Sequence, residues 1–218
     1  MTASLPDEGD VLVVVAHPDD EVLGCGGTIS KLARSGSVVT VLLALRRSDP
    51  RGRKLWPELL EAFDASCRRL GARPAVADPL IPEHKAGRRL EQLSDGIVPW
   101  IDRHDVVLTH WAGDVHQSHQ AVSRAVEIAT RPFRRRRDVH LFEVATSTDQ
   151  AFDAGFAPNH WVVLDERSCE DKVAAMALYR SEHDPGRRPA DLLRQLEHRG
   201  TTIGADQAEA FVVARQYR

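Results

Sequence analysis

Apolar runs and amphipathic segments alternate along the chain. Nearly continuous apolar runs, typical of strands buried on both faces of a parallel sheet, occur at 11–16, 38–45 and 105–109. Shorter runs predict further strands at 75–77, 139–144, 162–164 and 210–214. Apolar residues at helical spacing predict helices at 24–34, 57–70, 90–102, 167–179 and 191–198, and polar or proline-rich loops are predicted at 48–54 and 78–87. This alternation predicts an α/β protein with a Rossmann-like, three-layer α/β/α arrangement and a mostly parallel sheet.

The first strand is followed directly by His17, Pro18, Asp19, Asp20 and Glu21. Pro18 disfavours helical backbone at His17, so the strand ends there. The carboxyl edge of a parallel sheet is where open α/β proteins place their chemistry. His17 and Asp20 are zinc-type ligands, and a remaining carboxylate suits a general base that activates water. The alternative is that the three carboxylates only cap the following helix and complement its dipole.

A second cluster, GDVHQSHQA at 113–121, offers the third protein ligand that a catalytic zinc site needs. His116 and His119 are three residues apart, so they share one face if they begin a helix. The cluster follows the strand predicted at 105–109, which places it at the same edge of the sheet as His17. His-x-x-His spacing alone is weak evidence for a metal site, and the combination of both clusters is stronger.

AHPDDEVLGCGGT at 16–28, followed by D-x-H-x-x-H at 114–119, resembles the PIG-L/LmbE-like family of zinc-dependent N-deacetylases. Four later segments occur in the order that this family uses, at 141–148, 155–165, 179–183 and 199–211. The resemblance covers nearly the whole chain. It implies a Zn²⁺-dependent hydrolase that removes the acetyl group from an N-acetylated amino sugar or a related small molecule.

The resemblance also implies a role for each matching residue. His17, Asp20 and His119 would bind Zn²⁺. Asp19 would be the general base that activates water and later protonates the leaving amine. His116 would stabilise the tetrahedral oxyanion or act as a general acid. Zinc chemistry agrees with this division, because three protein ligands leave the metal an open position.

The second cluster departs from the family pattern at Ser118. Family members often have His-Pro-Asp-His, in which the aspartate would hold the first histidine, whereas Gln117 and Ser118 stand at those positions here. Ser118 cannot supply a negative charge. Either Asp114 takes over this task, or His116 is protonated less often.

Five residues are weaker candidates for contact with the substrate or support of the ligands: Asp114, Asp49, Arg53, Glu143 and His84. Asp49 and Arg53 lie in the first predicted loop, and His84 lies in the second. Both loops are expected at the active edge, although a solvated loop and a surface histidine are the alternatives. Glu143 interrupts an apolar strand, where a buried carboxylate needs a partner.

The alternative function is a catalytically impaired sugar- or nucleotide-binding Rossmann-like domain, and glycines at 24, 26 and 27 raise the possibility of a dinucleotide site. A dinucleotide fingerprint needs a third glycine where Ile29 stands, and an acidic residue where the second strand ends in Arg46 and Arg47. Ser118, and Trp56 near a position where the family often has an arginine, favour this alternative. The complete set of metal ligands, together with the candidate base, favours the enzyme.

Composition sets limits on the class of protein. The 218 residues, of which 42% are hydrophobic, can bury a sizeable core, and we interpret 1–218 as a single domain. The net charge of −3 gives no bulk attraction to nucleic acid. The basic run at 131–137 lies between a predicted helix and a predicted strand, and we interpret it as a solvated connection. The cysteines at 25, 67 and 169 are far apart, as is typical of reduced cysteines in a cytoplasmic protein.

The segment MTASLPDEGD lacks the basic region and the apolar core of a signal peptide. No apolar run approaches the ~20 residues of a membrane span. We therefore expect a small-molecule substrate, no nucleic-acid partner and no membrane span. The sequence is compatible with a homo-oligomer.

Overall fold

A single mixed sheet organises the described part of the chain, which in this computed structural model comprises residues 9–152 and 155–217. Most of the N-terminal segment for which we predict no signal peptide lies outside these residues. The strands are β1 Asp10–Val15, β2 Val38–Arg46, β3 Arg73–Pro82, β4 Val106–His110, β5 Asp138–Phe142, β6 His160–Val163 and β7 Ala208–Arg215. Their order in the sheet is β3-β2-β1-β4-β5-β7-β6. The first five strands in this order pair in parallel, whereas β7 is antiparallel to both β5 and β6.

Helices cover both faces of the sheet. They are α1 Asp20–Arg34, α2 Pro50–Arg69, α3 Leu90–Ile101, α4 Gln117–Ala129, α5 Ala145–Thr148, α6 Glu166–Met176 and α7 Pro189–Thr201. The predicted α/β class and its mostly parallel sheet are confirmed, and most predicted elements lie within a few residues of the observed ones.

The two predicted loops are wrong in large part. Helix α2 begins at Pro50, because the Asp49 carboxylate accepts the backbone N–H of Gly52 at 2.9 Å and proline suits the first helical position. The exposed, charged first turns of this helix lack the apolar spacing that marks its later turns. In the second case β3 continues to Pro82, and a 3-10 helix at Glu83–Arg88 follows it.

Strand β1 lies at the centre of the core. Val11, Val13 and Val15 pack in the cluster formed with helices α1 and α2 on one face. Leu12 and Val14 pack in the cluster formed with α3 and α4 on the other face. All five side chains are inaccessible to solvent, and each contributes on the order of 1.5–3 kcal/mol of burial free energy. The continuous apolar run of this strand is therefore explained by the three-layer arrangement.

The carboxyl ends of the parallel strands bring functional side chains to one edge of the sheet. His17 follows β1, Arg47 follows β2, Glu83 follows β3, His110 ends β4 and Glu143 follows β5. This edge is where open α/β sheets bind ligands.

The three cysteines are free thiols, and all are buried. A search of the described residues finds no helix with the length and apolarity needed to cross a membrane.

A buried histidine on β5 couples the stability of the fold to pH. His140 is inaccessible to solvent, and its ring lies edge-on to that of His160 with the centroids 5.3 Å apart. Neither ring nitrogen of His140 has a hydrogen-bond partner among the described residues. Burial, and to a lesser degree the neighbouring His160, lowers the pKa of His140 to about 4.

We predict that His140→Leu reduces the acid sensitivity of folding. Between about pH 6.5 and pH 4 the unfolded chain binds this proton and the folded protein does not, so stability falls as the pH falls, by at most about 3 kcal/mol. Urea unfolding at pH 7.5 and pH 5 measures the loss, with exposed His84→Leu as the control. Equal losses for the wild-type protein and His140→Leu would contradict the assignment.

Candidate active site

A cavity of about 350 Å³ opens at the carboxyl edge of the sheet. Polar and ionisable side chains from several elements line it: His17, Asp19, Asp20, Arg47, Asp49, Glu83, His116, His119 and Arg187. The two sequence clusters, which are about a hundred residues apart in the chain, therefore meet in one site.

The turn between β1 and α1 presents two carboxylates to this cavity. Asp19 has a φ of 99°, in the left-handed region that side chains other than glycine rarely adopt. The Glu21 carboxylate accepts the Asp19 backbone N–H at 3.2 Å, and the Asp20 carboxylate accepts the His17 N–H at 2.7 Å. Although Asp19 stands at the N-cap position, its side chain makes no capping hydrogen bond. Strain of this kind occurs at functional sites, so capping alone does not explain these carboxylates.

Two of the histidines have one nitrogen held by a carboxylate. His17 Nε2 lies 2.9 Å from Glu83 Oε2, and His119 Nδ1 lies 3.2 Å from Asp114 Oδ2. An ionised carboxylate only accepts hydrogen bonds, so in the neutral imidazole the bonded nitrogen carries the proton. This leaves lone pairs on His17 Nδ1 and His119 Nε2, the tautomers that metal-ligating histidines adopt.

Asp20 lies between these two lone pairs. Its Oδ2 is 3.4 Å from His17 Nδ1, and its Oδ1 is 3.3 Å from His119 Nε2. Ligand atoms that hold one zinc ion tetrahedrally at about 2.0–2.1 Å lie about 3.3 Å apart. Asp20 therefore lies at a spacing typical of zinc ligands from each ring, through a different oxygen to each.

Two further histidines lie close enough to compete as metal ligands. Ligand atoms of His17, His116 and His119 lie within 4.8 Å of one another, and so do those of Asp20, His110 and His119. However, His116 Nδ1 accepts the backbone N–H of Ser118 at 3.2 Å, so its Nε2 carries the proton. His110 Nε2 likewise accepts the N–H of Ala16 at 3.0 Å. These hydrogen bonds occupy the lone pairs and favour His17, Asp20 and His119 as the ligand set.

Electrostatics at the site follow from burial and close charges. Burial lowers the pKa of His119, but the Asp20 and Asp114 carboxylates outweigh it and raise the pKa to about 9. Burial and the adjacent Asp20 raise the pKa of Asp19 to about 8, although Arg187 opposes the shift. A divalent cation would replace the His119 proton and lower the pKa of Asp19, which favours its carboxylate form.

Asp114 holds the ring of His119 and not the ring of His116. Its Oδ1 accepts the backbone N–H of His116 at 2.7 Å, and its Oδ2 accepts the hydroxyls of Ser147 and Thr148 at 2.8 and 2.7 Å. The imidazole of His116 therefore gains no carboxylate partner from Asp114. Burial, followed by the charges of His17 and His119, lowers the pKa of His116 to about 4. Of the two alternatives left by Ser118, the structure favours a neutral His116.

Three charged residues of the site were not identified from the sequence. Glu83 is hydrogen-bonded to His17 and lies in the 78–87 segment that the sequence places at this edge, but in that segment the sequence singles out only the neighbouring His84. Arg47 directly follows β2 and lines the cavity. Arg187 donates from Nη1 to Asp19 Oδ2 at 3.2 Å and from Nε to Thr146 Oγ1 at 3.2 Å. Arg187 lies in an irregular segment without a motif, so only the tertiary fold identifies it.

Of the weaker candidates from the sequence, one lines the cavity and others lie outside it. Asp49 lines the cavity, and its carboxylate also caps α2. The structure does not bring Arg53 or His84 to the cavity. Arg53 is exposed on α2, and exposed His84 lies with Nδ1 2.7 Å from Ser48 Oγ. Glu143 pairs with Arg199 in a neighbouring cavity.

A family model described as GlcNAc-PI de-N-acetylase matches residues 12–130. No curated protein gives a significant match. Among solved structures, the chain is similar to a conserved protein from Thermus thermophilus, with 24% identity, a TM-score of 0.73 and coverage of 96% of each chain. It is also similar to N,N′-diacetylchitobiose deacetylase from Pyrococcus horikoshii, with 18% identity, a TM-score of 0.73 and coverage of 94% of this chain and 83% of that one.

A third similar structure has a different activity. It is the 4-carboxy-2-hydroxymuconate hydratase from Pseudomonas putida, with 18% identity, a TM-score of 0.69 and coverage of 96% of this chain and 97% of that one. At these identities the solved structures establish the fold. Because one of them is a hydratase, the reaction has to be argued from the site.

The hydrogen bond between Glu83 and His17 predicts a specific effect on metal binding. Glu83→Gln should weaken zinc affinity by roughly 10- to 100-fold, because the neutral amide is a weaker acceptor that does not increase the basicity of the ring. Competition with a chelator at pH 7.5 measures the affinity, and exposed Glu58→Gln on α2 is the charge-matched control. An unchanged affinity for Glu83→Gln would show that Glu83 does not support a metal ligand.

Proposed function

The chain belongs to the GlcNAc-PI de-N-acetylase family, and on that premise we propose that it is a zinc-dependent hydrolase that removes the acetyl group from the nitrogen of an amino sugar. One observation is the main support for this proposal. The lone pairs of His17 and His119 face the two oxygens of Asp20, while the adjacent Asp19 carboxylate points into the same cavity. This arrangement combines a three-ligand metal site with a separate acid–base group.

The metal would be held by His17 Nδ1, Asp20 and His119 Nε2. When bound, zinc supplies a Lewis acid that polarises the acetamide carbonyl and acidifies water. Glu83 and Asp114 keep the two ligating rings in the required tautomer and orientation.

Asp19 is the proposed general base. It takes a proton from the attacking water, whose oxygen then forms a bond to the carbonyl carbon of the acetamide. After the tetrahedral intermediate forms, Asp19 returns this proton to the amine nitrogen as the carbon–nitrogen bond breaks, and acetate and the free amine are the products. Arg187 Nη1 lies 3.2 Å from Asp19 Oδ2 and holds the carboxylate in position. Its positive charge lowers the pKa of Asp19 and so opposes the upward shift that burial causes.

His116 is the proposed donor to the oxyanion. Its Nδ1 accepts the Ser118 backbone N–H, so its Nε2–H can donate a hydrogen bond to the oxyanion of the tetrahedral intermediate. The lowered pKa of His116 disfavours the imidazolium form that a general acid would need. We therefore favour stabilisation of the oxyanion over general-acid catalysis for this residue.

The alternative, a binding domain without catalytic power, has less support. It depended on Ser118 and on the absence of a family arginine. Ser118 contributes its backbone N–H to His116, and Arg47 and Arg187 bring guanidinium groups to the cavity. The buried, reduced cysteines further favour a cytoplasmic location for the enzyme.

We predict that Asp19→Asn retains one zinc ion per chain and loses activity by a factor of roughly 10²–10⁴, the usual contribution of a general base. The amide preserves the shape of the side chain but cannot accept a proton. Elemental analysis gives the metal content, and acetate release from N-acetylated amino sugars gives the activity. Undiminished turnover would show that Asp19 is not the base.

Asp20→Ala should lose both metal and activity, because it removes the carboxylate between the two histidine lone pairs. The same pair of measurements applies, and circular dichroism checks that the variant is folded. Full metal occupancy in a folded Asp20→Ala protein would contradict the ligand assignment.

A further inference from the structure

Helix α1 is interrupted soon after it begins. Cys25 has φ and ψ angles of −148° and 26°, outside the helical range, so α1 consists of two helical segments that meet at a kink. The first segment, residues 20–24, begins with Asp20 and directly follows Asp19. These are the two carboxylates to which the proposed reaction assigns metal binding and proton transfer. A single helical turn has little stability by itself, so contacts with other elements have to set its orientation.

Two charged side chains supply hydrogen-bond partners at the kink. In a continuous helix the N–H of Gly27 would bond to the carbonyl of Leu23. Here the Gly27 N–H donates to Glu209 Oε1 at 3.0 Å, and the Leu23 carbonyl accepts from Lys172 Nζ at 3.0 Å. Glu209 Oε2 accepts the N–H of Thr28 at 2.7 Å, and Lys172 Nζ donates to Glu209 Oε1 at 2.6 Å. An ion pair thus connects the two segments of α1.

The ion pair is buried and comes from two other elements. The side chains of Lys172 on α6 and Glu209 on β7 are only 2% and 3% exposed. Gly26 leaves room for the lysine, because a Cβ atom at this position would lie 3.2 Å from Lys172 Cγ. A buried ion pair contributes little to stability compared with well-packed apolar side chains, so stability alone does not explain it. Its hydrogen bonds to the backbone indicate that it fixes the geometry of the kink.

Two hydrogen bonds in series connect Lys172 with the candidate general base. The carbonyl of Leu23 accepts from Lys172, and the N–H of the same residue donates to the Asp19 carbonyl at 2.9 Å. The N–H of Val22 donates to that carbonyl as well, at 3.0 Å. Asp19 is in the left-handed region, a conformation that its surroundings have to maintain. A shift of Leu23 would therefore move the backbone from which the Asp19 and Asp20 carboxylates project.

We propose that Lys172 and Glu209 are positioning residues for the candidate active site. They hold the first turn of α1 at its kink and thereby set the directions of the Asp19 and Asp20 carboxylates. This inference rests on the proposed function, because it concerns Asp19 as the base and Asp20 as a metal ligand. Neither member of the ion pair lines the cavity at Asp19, so both act through the backbone of α1.

Neutral variants of the ion pair test the proposal. The double variant Lys172→Met/Glu209→Gln removes both charges, and so avoids the unpaired buried charge that could unfold a single variant. Glu209→Gln alone keeps the shape of the side chain and one acceptor oxygen, and it serves as the milder second variant. The control is Leu32→Ala, which truncates a buried side chain of the same helix beyond the kink and lowers stability without touching the ion pair. Circular dichroism and urea unfolding show that each variant is folded and how much stability it has lost.

We expect two effects that a loss of stability alone would not produce. In competition with a chelator, the double variant should bind zinc roughly tenfold more weakly than the wild-type protein, because Asp20 is no longer held at its spacing from the histidine lone pairs. At saturating zinc, acetate release from N-acetylated amino sugars should show kcat lowered roughly tenfold with KM unchanged, because Asp19 is displaced while the substrate still binds. Glu209→Gln should cause smaller changes in the same direction. Leu32→Ala should leave zinc affinity and kcat at their wild-type values.

The zinc and acetate measurements separate the positioning role from the chemistry. Wild-type zinc affinity and kcat in a folded variant of the ion pair would overturn the proposal, and so would losses equal to those of Leu32→Ala. If the wild-type protein releases acetate and the ion-pair variants match it, the proposed function stands and the positioning role is refuted. If the wild-type protein binds zinc but releases no acetate, weaker zinc binding by the ion-pair variants would support the positioning of Asp20 while the deacetylase is refuted.

Discussion

The candidate metal centre depends on the hydrogen bonds from two histidine rings to the carboxylates of Glu83 and Asp114. Glu83 and Asp114 each hold the outer nitrogen of one ring, and the inner nitrogens therefore face Asp20 with their lone pairs. Without these partners, five neighbouring residues could offer ligand atoms and the set would be ambiguous. His116 differs from these two rings, because its Nδ1 lone pair accepts a backbone N–H.

A second buried network maintains the strained turn beside the candidate metal ligands. Glu21 is inaccessible to solvent, and its carboxylate accepts hydrogen bonds from Tyr179 at 2.6 Å, from Ser66 at 2.7 Å and from the Asp19 backbone at 3.2 Å. Burial raises the pKa of Glu21 to about 7. Tyr179 and Ser66 come from different parts of the chain, so the left-handed conformation of Asp19 is stabilised by the tertiary fold and not by local preference.

The sequence predicts those features that a local pattern encodes. The apolar run of β1 identified a buried strand, and the residues directly after it identified one edge of the site. Two kinds of feature are not predicted from the sequence. The start of α2 has a charged surface, so the apolar spacing that predicts helices is absent there, and Asp49, which caps this helix, lies in a segment whose polar pattern predicts a loop. Glu83 contacts His17 and Arg187 contacts Asp19, at separations of 66 and 168 positions along the chain. A periodic pattern in the sequence cannot predict contacts between such distant positions.

We propose that the metal is bound by His17, Asp20 and His119, with His116 left to act on the substrate. A crystal structure of the zinc-loaded protein, with anomalous diffraction data at the zinc edge, would identify the ligands. We predict one zinc ion bound by His17 Nδ1, Asp20 and His119 Nε2, with the Ser118 N–H still bonded to His116 Nδ1. Zinc coordinated by His116, or by His110 in place of His17, would contradict it.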